Sequence, residues 1–304
     1  MHASNEMETV VYKTVGDLSI KADVYPVVSA KPAPVLVLIH GGALIMGSRT
    51  NIRQTLRFLC AREGFAQVSI DYRLAPETKL PAIIGDLQDA FRWVRGEGAR
   101  RFHFDPDRIG VVGWSAGGYL TLMSGFCVEP RPKALVSFYG YGDIAGPWYA
   151  EPDPHYCQQP AVSRETALAS VGNAPLTEPP PGNERFQFYL YCRQNGLWSN
   201  EVAGFDPHTQ PRAFDPYCPV RNVTSDYPRT LLFHGTNDTD VPYQQSVDMA
   251  AALDAKGVFN DLVTIPGGGH GFDGGVRVED MQDFRPKPGA AAFARTVSFL
   301  KQYV

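Results

Sequence analysis

Ser115 is the residue best placed to act as a nucleophile, because it stands at the centre of the sequence GWSAG, residues 113–117. The apolar run 109–112 precedes this pentapeptide, and a stretch of helical character from Gly118 follows it. The order predicts a strand, a tight turn and a helix, in which strained backbone presents the serine hydroxyl at the helix N-terminus. Small residues two before and two after the serine are then required, since neighbouring backbone passes close by. A simple glycine-rich turn is the alternative.

A serine hydroxyl is a weak nucleophile, so a nearby base must accept its proton. His270 is the candidate, because it lies in the flexible sequence GGGHGF after the last predicted strand, from which an imidazole can reach the top of a sheet. The alternative is a histidine that only caps this loop. His234 ends a strand directly, and we expect a structural hydrogen-bonding role for it. His155 and His208 fall in a proline-rich segment and are expected at the surface.

An acidic residue is needed to hold one tautomer of such a histidine and to stabilise its charged form. The turn HGTNDTDVP, residues 234–242, offers Asp238 and Asp240. Asp238 is the candidate, because Asp240 lies close to a helix predicted from about Tyr243 and is expected to cap it. Outside this arrangement, either aspartate would be an ordinary turn residue.

Acyl transfer places negative charge on the substrate carbonyl oxygen, and backbone N–H groups can stabilise that charge. Gly41 and Gly42 directly follow a predicted strand, and adjacent glycines can turn their amides towards a substrate. With the amide of Ala116 they form the candidate oxyanion hole, and a plain glycine-rich loop is the alternative. Ala43 and Trp114 are candidate substrate contacts, unless Trp114 packs beneath the turn and touches no substrate.

The elements that would position these residues alternate along the chain. Short apolar runs typical of strands buried on both faces occur at 35–39, 65–70, 108–112, 134–138, 230–233 and 262–265. Apolar residues at helical spacing predict helices around 56–60, 83–94, 249–253 and 293–300. Alternating residues at 9–13 and 18–25 predict an antiparallel pair. Strands that alternate with helices indicate an α/β fold with a mostly parallel central sheet flanked by helices.

Residues 144–226 interrupt this alternation and are rich in proline and aromatic residues. So long a departure predicts an insertion that lies over one edge of the sheet as a cap or lid. We therefore expect a catalytic domain from residues 1–143 and 227–304 and an inserted cap region at 144–226. A short helix is predicted at 184–194 within it. Its aromatic side chains either line a pocket or form a small core, and the core is favoured for each residue taken singly.

Composition excludes several classes of function. The 304 residues are 44% hydrophobic and 20% charged, which is usual for a globular protein with a packed core. A net charge of -4 without a basic run argues against a nucleic-acid partner. No stretch reaches the roughly 18 consecutive apolar residues of a membrane span. The polar start, Met1–Val10, lacks the features of a secretory signal, so we expect a cytoplasmic location.

The five cysteines are odd in number and lack CxxC spacing, which argues against a zinc site and against a disulfide framework. We expect buried reduced thiols, with one disulfide in the proline-rich middle as the alternative. No motif implies a metal or an organic cofactor. The expected partner is a small-molecule substrate, and the sequence leaves a homodimer open.

Together these motifs carry a family resemblance. HGGALIMG, residues 40–47, resembles the HGGG-type oxyanion segment of hormone-sensitive-lipase-like esterases, and DYRLAPE, residues 71–77, resembles a second segment of that group. Those esterases usually carry GDSAGG, whereas Trp114 here replaces the aspartate. GWSAGG with the preceding FDPDRI is more similar to feruloyl and acetyl-xylan esterase-like members. The turn 234–242 resembles the HGxxDxxVP acid turn of esterases and prolyl-oligopeptidase-like hydrolases, which matches its aspartate to Asp238.

The resemblance spans about residues 20–145 and 215–304. It implies an α/β-hydrolase fold and a carboxylic ester hydrolase that forms an acyl-enzyme through Ser115, His270 and Asp238. An amidase, a peptidase or an aryl-formamidase would use the same machinery. A ligand-binding protein that has kept the fold without catalysis is a third hypothesis, which is disfavoured because such proteins commonly lose a triad residue and here all three positions are filled.

Overall fold

The chain forms one eight-stranded sheet in a computed structural model that describes residues 6–282 and 287–304. The start of the polar N-terminal segment, residues 1–5, therefore lies outside the described residues. The strands are β1 (Glu8–Val15), β2 (Leu18–Tyr25), β3 (Ala33–Ile39), β4 (Ala66–Ile70), β5 (Phe104–Trp114), β6 (Ala134–Phe138), β7 (Arg229–Gly235) and β8 (Asn260–Ile265). They lie in the order β1-β2-β4-β3-β5-β6-β7-β8. All eight coincide with runs predicted as strands.

The sheet is antiparallel only at its first edge. β1 pairs with β2 and β2 with β4 in antiparallel fashion, and every later pairing is parallel. The parallel register aligns the strand ends, because Ile39 pairs with Gly113, and Phe138 pairs with both Trp114 and Phe233. The segments that follow β3, β5, β6 and β7 therefore leave the sheet at one edge, which is where an open parallel sheet places a site.

Helices cover both faces of the sheet. They are α1 (Gln54–Arg62), α2 (Leu80–Trp93, continued by a π-helical turn at Val94–Gly98), α3 (Ala99–Phe102), α4 (Ala116–Cys127), α5 (Pro147–Ala150), α6 (Arg164–Leu168), α7 (Glu184–Asn195), α8 (Trp198–Ala203), α9 (Gln244–Asp254) and α10 (Pro288–Tyr303). Single 3-10 turns lie at Tyr156–Gln158, Pro211–Tyr217, Pro219–Arg221 and Glu279–Gln282. The predicted helices correspond to α1, α2, α4, α7, α9 and α10.

The apolar runs of the central strands divide their side chains between two core layers. On β3, Val35 and Val37 belong to the layer that contains α2, α4 and α9, whereas Leu36 and Leu38 belong to the layer under α1 and α10. Successive residues of a strand point to opposite faces, so a strand with helices on both sides must be apolar throughout. The predicted doubly covered sheet is confirmed.

The segment 144–226 contains the helices α5 to α8. The sequence left open whether its aromatic side chains form a core or line a pocket, and the structure shows some of them in each position. Tyr149 and Trp198 stack with ring centroids 3.8 Å apart and are buried in the same core layer as α2 and α4. Trp198 Nε1 also donates a hydrogen bond to the Ala43 carbonyl oxygen at 3.0 Å. Tyr156 and Phe186, in contrast, border a cavity described below. The segment is thus fastened directly to the loop after β3.

All five cysteines are present as free thiols, as expected for a reduced chain. Burial was predicted for all of them, but Cys157 is exposed and Cys127 is partly exposed, because both lie on surface segments. No helix among residues 6–282 and 287–304 has the length and apolar character needed to cross a membrane.

A buried ion pair fastens α7 to the loop before α2. Arg185 Nη2 lies 2.6 Å from Glu77 Oε2, and both side chains are almost fully buried. The carboxylate also accepts a hydrogen bond from the Gly172 N–H at 2.9 Å. Removing one partner of such a pair leaves a buried charge without compensation, which is strongly destabilising.

We predict that Arg185→Met lowers the free energy of unfolding by about 3–5 kcal/mol. The matched control is Lys301→Met, which removes an ion pair with Glu63 between two exposed side chains and should cost about 1 kcal/mol or less. Urea denaturation of both variants measures the difference. Equal losses would show that the Glu77 pair does not anchor α7.

Candidate active site

Ser115 occupies the turn between β5 and α4 with φ 55° and ψ -120°, a conformation that non-glycine residues rarely adopt. Its N–H donates to the Phe138 carbonyl oxygen at 2.9 Å, which fixes the turn against β6. A Cβ on Gly113 would lie 2.0 Å from the Gly117 oxygen, and one on Gly117 would lie 2.0 Å from the Ile39 oxygen. The predicted need for small residues at both positions is therefore confirmed.

The structure brings Ser115, His270 and Asp238 together. Ser115 Oγ lies 3.1 Å from His270 Nε2, and His270 Nδ1 lies 2.8 Å from Asp238 Oδ2. The Nδ1–H therefore donates to the carboxylate, and Nε2 faces the serine hydroxyl. The N–H of Asn237 donates to the Gly268 carbonyl oxygen at 2.9 Å, which holds the acid turn against the histidine loop.

Asp238 is held as a carboxylate by several donors. Its Oδ1 accepts hydrogen bonds from the N–H groups of Asp240 and Val241, both at 2.9 Å, and its side chain is fully buried. Burial alone would raise the pKa of Asp238, but hydrogen bonds from His234, His270 and Val241 hold that pKa well below its ordinary value. The residue is therefore a fixed negative charge beneath the imidazole at neutral pH.

The protonation of His270 is governed by three carboxylates. Burial alone would lower the pKa of His270, but the hydrogen bond to Asp238 and the charges of Asp240, Asp238 and Asp273 outweigh it, so the pKa is raised from its ordinary 6.5. An adjacent negative charge favours the imidazolium over the neutral ring. The site is thus arranged to stabilise the histidine after it has taken a proton.

The other histidines lie outside this group, as predicted. His234 is buried, with Nδ1 2.7 Å from Ser246 Oγ and Nε2 3.0 Å from the Val241 carbonyl oxygen, so it braces the acid turn. His155 and His208 are exposed. The prediction that Asp240 caps a helix is wrong, because Tyr243 precedes α9 and no side chain caps that helix. Asp240 instead faces the cavity beside His270.

Gly41 and Gly42 line the cavity together with Ser115, and Ala116 follows the serine directly in the chain. A Cβ on Gly41 would lie 3.2 Å from Ser115 Cβ, and Gly42 has φ 109°, which favours glycine. Within the described residues, none of the three N–H groups donates a hydrogen bond to another protein atom. Ala43, with φ 56°, lines the cavity next to them. The three N–H groups are therefore not engaged by other described residues.

His40 shapes the loop that carries the glycine pair. Its Nδ1 donates to the Gly41 carbonyl oxygen at 2.7 Å, and its ring stacks on Tyr72 with centroids 4.2 Å apart. Burial lowers the pKa of His40 to about 4, against the opposing effect of the Gly41 carbonyl. A neutral ring at this position can orient the loop without adding charge beside the site.

A buried carboxylate that the sequence analysis missed ties the serine turn to the histidine loop. Asp273 is fully buried and accepts hydrogen bonds from Trp114 Nε1 at 2.9 Å and Tyr139 Oη at 2.7 Å. Arg53 completes the group, with Nε 3.0 Å from Asp273 Oδ2. The ring of Tyr139 also contacts the edge of His270, with centroids 4.6 Å apart. Asp273, Trp114, Tyr139 and Arg53 together are called the Asp273 network below.

The one signal for this network in the sequence was Trp114 in place of the usual aspartate, since a buried indole N–H needs an acceptor. Nothing in the sequence pointed to its partner, because Arg53 and Tyr139 belong to no recognised motif. Trp114 is buried, as expected of a residue that packs beneath the serine turn. It also borders the cavity, where a substrate contact would have to lie.

A cavity of about 360 Å³ opens above Ser115 and His270. Its wall is mainly aromatic and apolar, with Met46, Tyr156, Phe186 and Tyr189 among the lining residues. Asn51, Arg53 and Asp240 are the polar side chains that reach it besides the serine and histidine. A largely apolar pocket with few polar groups is typical of a small-molecule site.

We predict that Trp114→Phe lowers the free energy of unfolding by about 1.5–3 kcal/mol more than Trp93→Phe, because it removes a hydrogen bond to a charged group. The control removes the same atoms from another buried tryptophan, whose Nε1 has no partner in the part of the chain that the structure describes. Urea denaturation gives both values. Equal losses would show that the indole N–H contributes nothing through Asp273.

Comparisons with known proteins give the relatives and the fold family of the chain. The chain is 30% identical over 351 aligned residues to the non-reducing polyketide synthase ausA of Aspergillus calidoustus, and the alignment covers 98% of the chain but 14% of that synthase. The chain therefore spans about a seventh of the length of this curated relative.

Solved structures show the same fold. An acetyl ester-xyloside bifunctional hydrolase from Caldicellulosiruptor lactoaceticus superposes with a TM-score of 0.67 at 20% identity, covering 99% of this chain and 98% of the other. A hyperthermophilic esterase from the archaeon Pyrobaculum calidifontis gives a TM-score of 0.67 at 22% identity, covering 98% and 85%. The profile of the alpha/beta hydrolase fold matches residues 36–274. Since that match covers most of the chain, the protein belongs to the alpha/beta hydrolase fold family.

Proposed function

We propose that this protein is a carboxylic ester hydrolase in which Ser115 forms an acyl-enzyme. The observation that carries the proposal is the continuous chain of hydrogen bonds from Ser115 Oγ through His270 to Asp238. A nucleophile within reach of a base that a third group orients is the arrangement that covalent catalysis requires. The fold family, and esterases among the structures that share the fold, support the same class of reaction.

In the proposed first step, Ser115 Oγ bonds to the substrate carbonyl carbon as His270 Nε2 takes the hydroxyl proton. The Nδ1–H remains bonded to Asp238, whose negative charge stabilises the imidazolium. The carbonyl electron pair moves onto oxygen, and the N–H groups of Gly41, Gly42 and Ala116 are proposed to stabilise that oxyanion.

In the proposed second step, the carbonyl re-forms and the bond to the alcohol oxygen breaks. The imidazolium Nε2–H gives its proton to that oxygen, so the alcohol leaves neutral. Water then attacks the acyl group on Ser115 with His270 again as base, which releases the acid and restores the free serine. No other group is needed to balance either step.

The cavity indicates a substrate with apolar or aryl character. We propose that residues 144–226 act as a cap that sets its size, since Tyr156, Phe186 and Tyr189 come from this segment. Trp114 and Ala43 border the same space and are proposed as substrate contacts. An amide or a formanilide bond would demand the same nucleophile and base, so the choice between ester and amide rests on measurement.

We predict that Ser115→Ala reduces the hydrolysis of p-nitrophenyl acyl esters, acetate to decanoate, by at least about 10⁴-fold, because it removes the hydroxyl that lies within reach of His270 Nε2. Ser298→Ala is the matched control on the exposed face of α10, and it should keep wild-type turnover. A fluorophosphonate should label the wild type and the control but not Ser115→Ala. Turnover retained by Ser115→Ala would rule out this serine.

If fluorophosphonate labels Ser115 but no ester in the series is cleaved, acyl anilides and formanilides are the next substrates. Cleavage of these alone would favour an amidase or an aryl-formamidase over an esterase. Tight binding of a ligand without covalent labelling would favour a binding protein that has kept the fold.

We predict that kcat/KM rises with pH as His270 loses its proton, because only the neutral imidazole can accept the serine proton. Since the pKa of this histidine is raised, the midpoint should lie above its ordinary 6.5. A pH–rate profile with p-nitrophenyl acetate from about pH 5 to about pH 9 measures the midpoint. A flat profile over the acid half of this range would contradict the role of His270.

A further inference from the structure

Asp240 lines the cavity, and one of its carboxylate oxygens accepts no hydrogen bond from the part of the chain that the structure describes. Its Oδ1 accepts hydrogen bonds from Tyr156 Oη at 2.9 Å, from Arg193 Nη1 at 3.0 Å and from Tyr189 Oη. Its Oδ2 accepts none from the residues that the structure describes, and its nearest charged neighbour is His270 Nε2 at 3.3 Å. The side chain is 21% exposed and lines the cavity.

The carboxylate is fixed because Tyr156, in the 3-10 turn Tyr156–Gln158, and two residues of α7 bind its other oxygen. Arg193 is almost fully buried, and its guanidinium lies 4.8 Å from the Tyr156 ring centroid and 4.9 Å from that of Tyr149. Arg193 Nη1 also donates to the Asp240 carbonyl oxygen at 2.9 Å. A polar group that is fixed by its neighbours can reject a mismatched ligand instead of turning away from it.

The position of Asp240 Oδ2 next to His270 relates it to the alcohol part of an ester substrate. On the proposed mechanism, His270 Nε2 protonates the alcohol oxygen, which must therefore lie about 3 Å from Nε2. Asp240 Oδ2 lies 3.3 Å from the same nitrogen, so an alcohol oxygen that takes its proton lies near this carboxylate oxygen. An atom joined to the alcohol carbon next to the ester oxygen would come within hydrogen-bond reach of Oδ2.

We propose that Asp240 makes the protein selective for esters whose alcohol carries a free hydroxyl next to the ester oxygen, as in the monoesters of diols and polyols. This inference rests on the proposed ester hydrolysis. The hydroxyl donates to Oδ2, while the apolar wall formed by Tyr156, Phe186 and Tyr189 packs against the carbon skeleton. An alcohol without the donor leaves Oδ2 desolvated and unpaired, which costs free energy.

A neutral donor fits this position better than a charged group. Arg193 pairs with both Asp240 and Asp153, so it offsets part of the negative charge of Asp240. An ammonium group on Oδ2 would lie next to the imidazolium that forms at His270 during the reaction, and like charges at such a distance repel. A carboxylate on the alcohol would face both Asp240 and Asp238. The favoured class is therefore a neutral hydroxylated alcohol.

The test compares four acetates: 2-hydroxyethyl, 2-methoxyethyl, propyl and the acetate of choline, with acetate release as the readout. Because a hydrogen bond to a charged group changes the rate by about 10- to 100-fold, wild type should favour hydroxyethyl over methoxyethyl and propyl acetate by about that factor. Asp240→Asn should bring this ratio close to one, since its amide nitrogen cannot accept the hydroxyl proton. Asp248→Asn removes an exposed charge on α9 and should keep the wild-type ratio.

The readout is a ratio within each variant, so a general loss of rate in Asp240→Asn does not affect it. Equal rates for hydroxyethyl and methoxyethyl acetate in wild type would overturn the inference. A preference for the choline ester would also overturn it. Either result leaves the proposed ester hydrolysis intact. If Asp240→Asn does not fold, the four wild-type rates still decide. Failure to cleave these acetates and p-nitrophenyl acetate alike means that the proposed ester hydrolysis has failed instead.

Discussion

Ser115 stands in a backbone conformation that costs about 1–3 kcal/mol, and the surrounding structure has to impose it. Its N–H is bound by β6, and the two flanking glycines touch backbone of α4 and β3 at distances that no Cβ could tolerate. Each of these contacts depends on the parallel register that ends the central strands at one edge. The register therefore both strains the serine and brings the loop after β3, with its glycine pair, beside it.

The charges of three aspartates act on His270, and two of them, Asp238 and Asp273, have fully buried side chains. Asp238 orients the imidazole directly, whereas Asp273 acts on it through Tyr139, which packs against the ring. Asp273 is balanced by Arg53 and by the indole of Trp114, so the serine turn and the histidine loop share one polar network. Such a network fixes the geometry of the reacting groups because each member is satisfied by the others.

Most of the sheet and the positions of the site residues could be predicted from the sequence. The apolar runs that become β3 to β8 are distinctive because both faces of each strand are covered, and GWSAG and the HGG segment are local motifs. Asp238 and His270 followed from their place after β7 and β8. The roles of Asp273 and Asp240 could not be predicted, because contacts between residues distant in sequence determine them. Asp273 meets Trp114 only in the folded chain. Asp240 lies at the cavity, where Arg193 of α7 binds it.

The central claim is that Ser115 carries the acyl group during the reaction. Its most direct test is to mix the protein with p-nitrophenyl acetate, stop the reaction in acid after one turnover, and map the acetylated residue by mass spectrometry of the peptides. We predict one acetyl group, on Ser115, which disappears as turnover is completed. An acetyl group that persists on another residue, or ester cleavage with no acetylated peptide at any time, would contradict it.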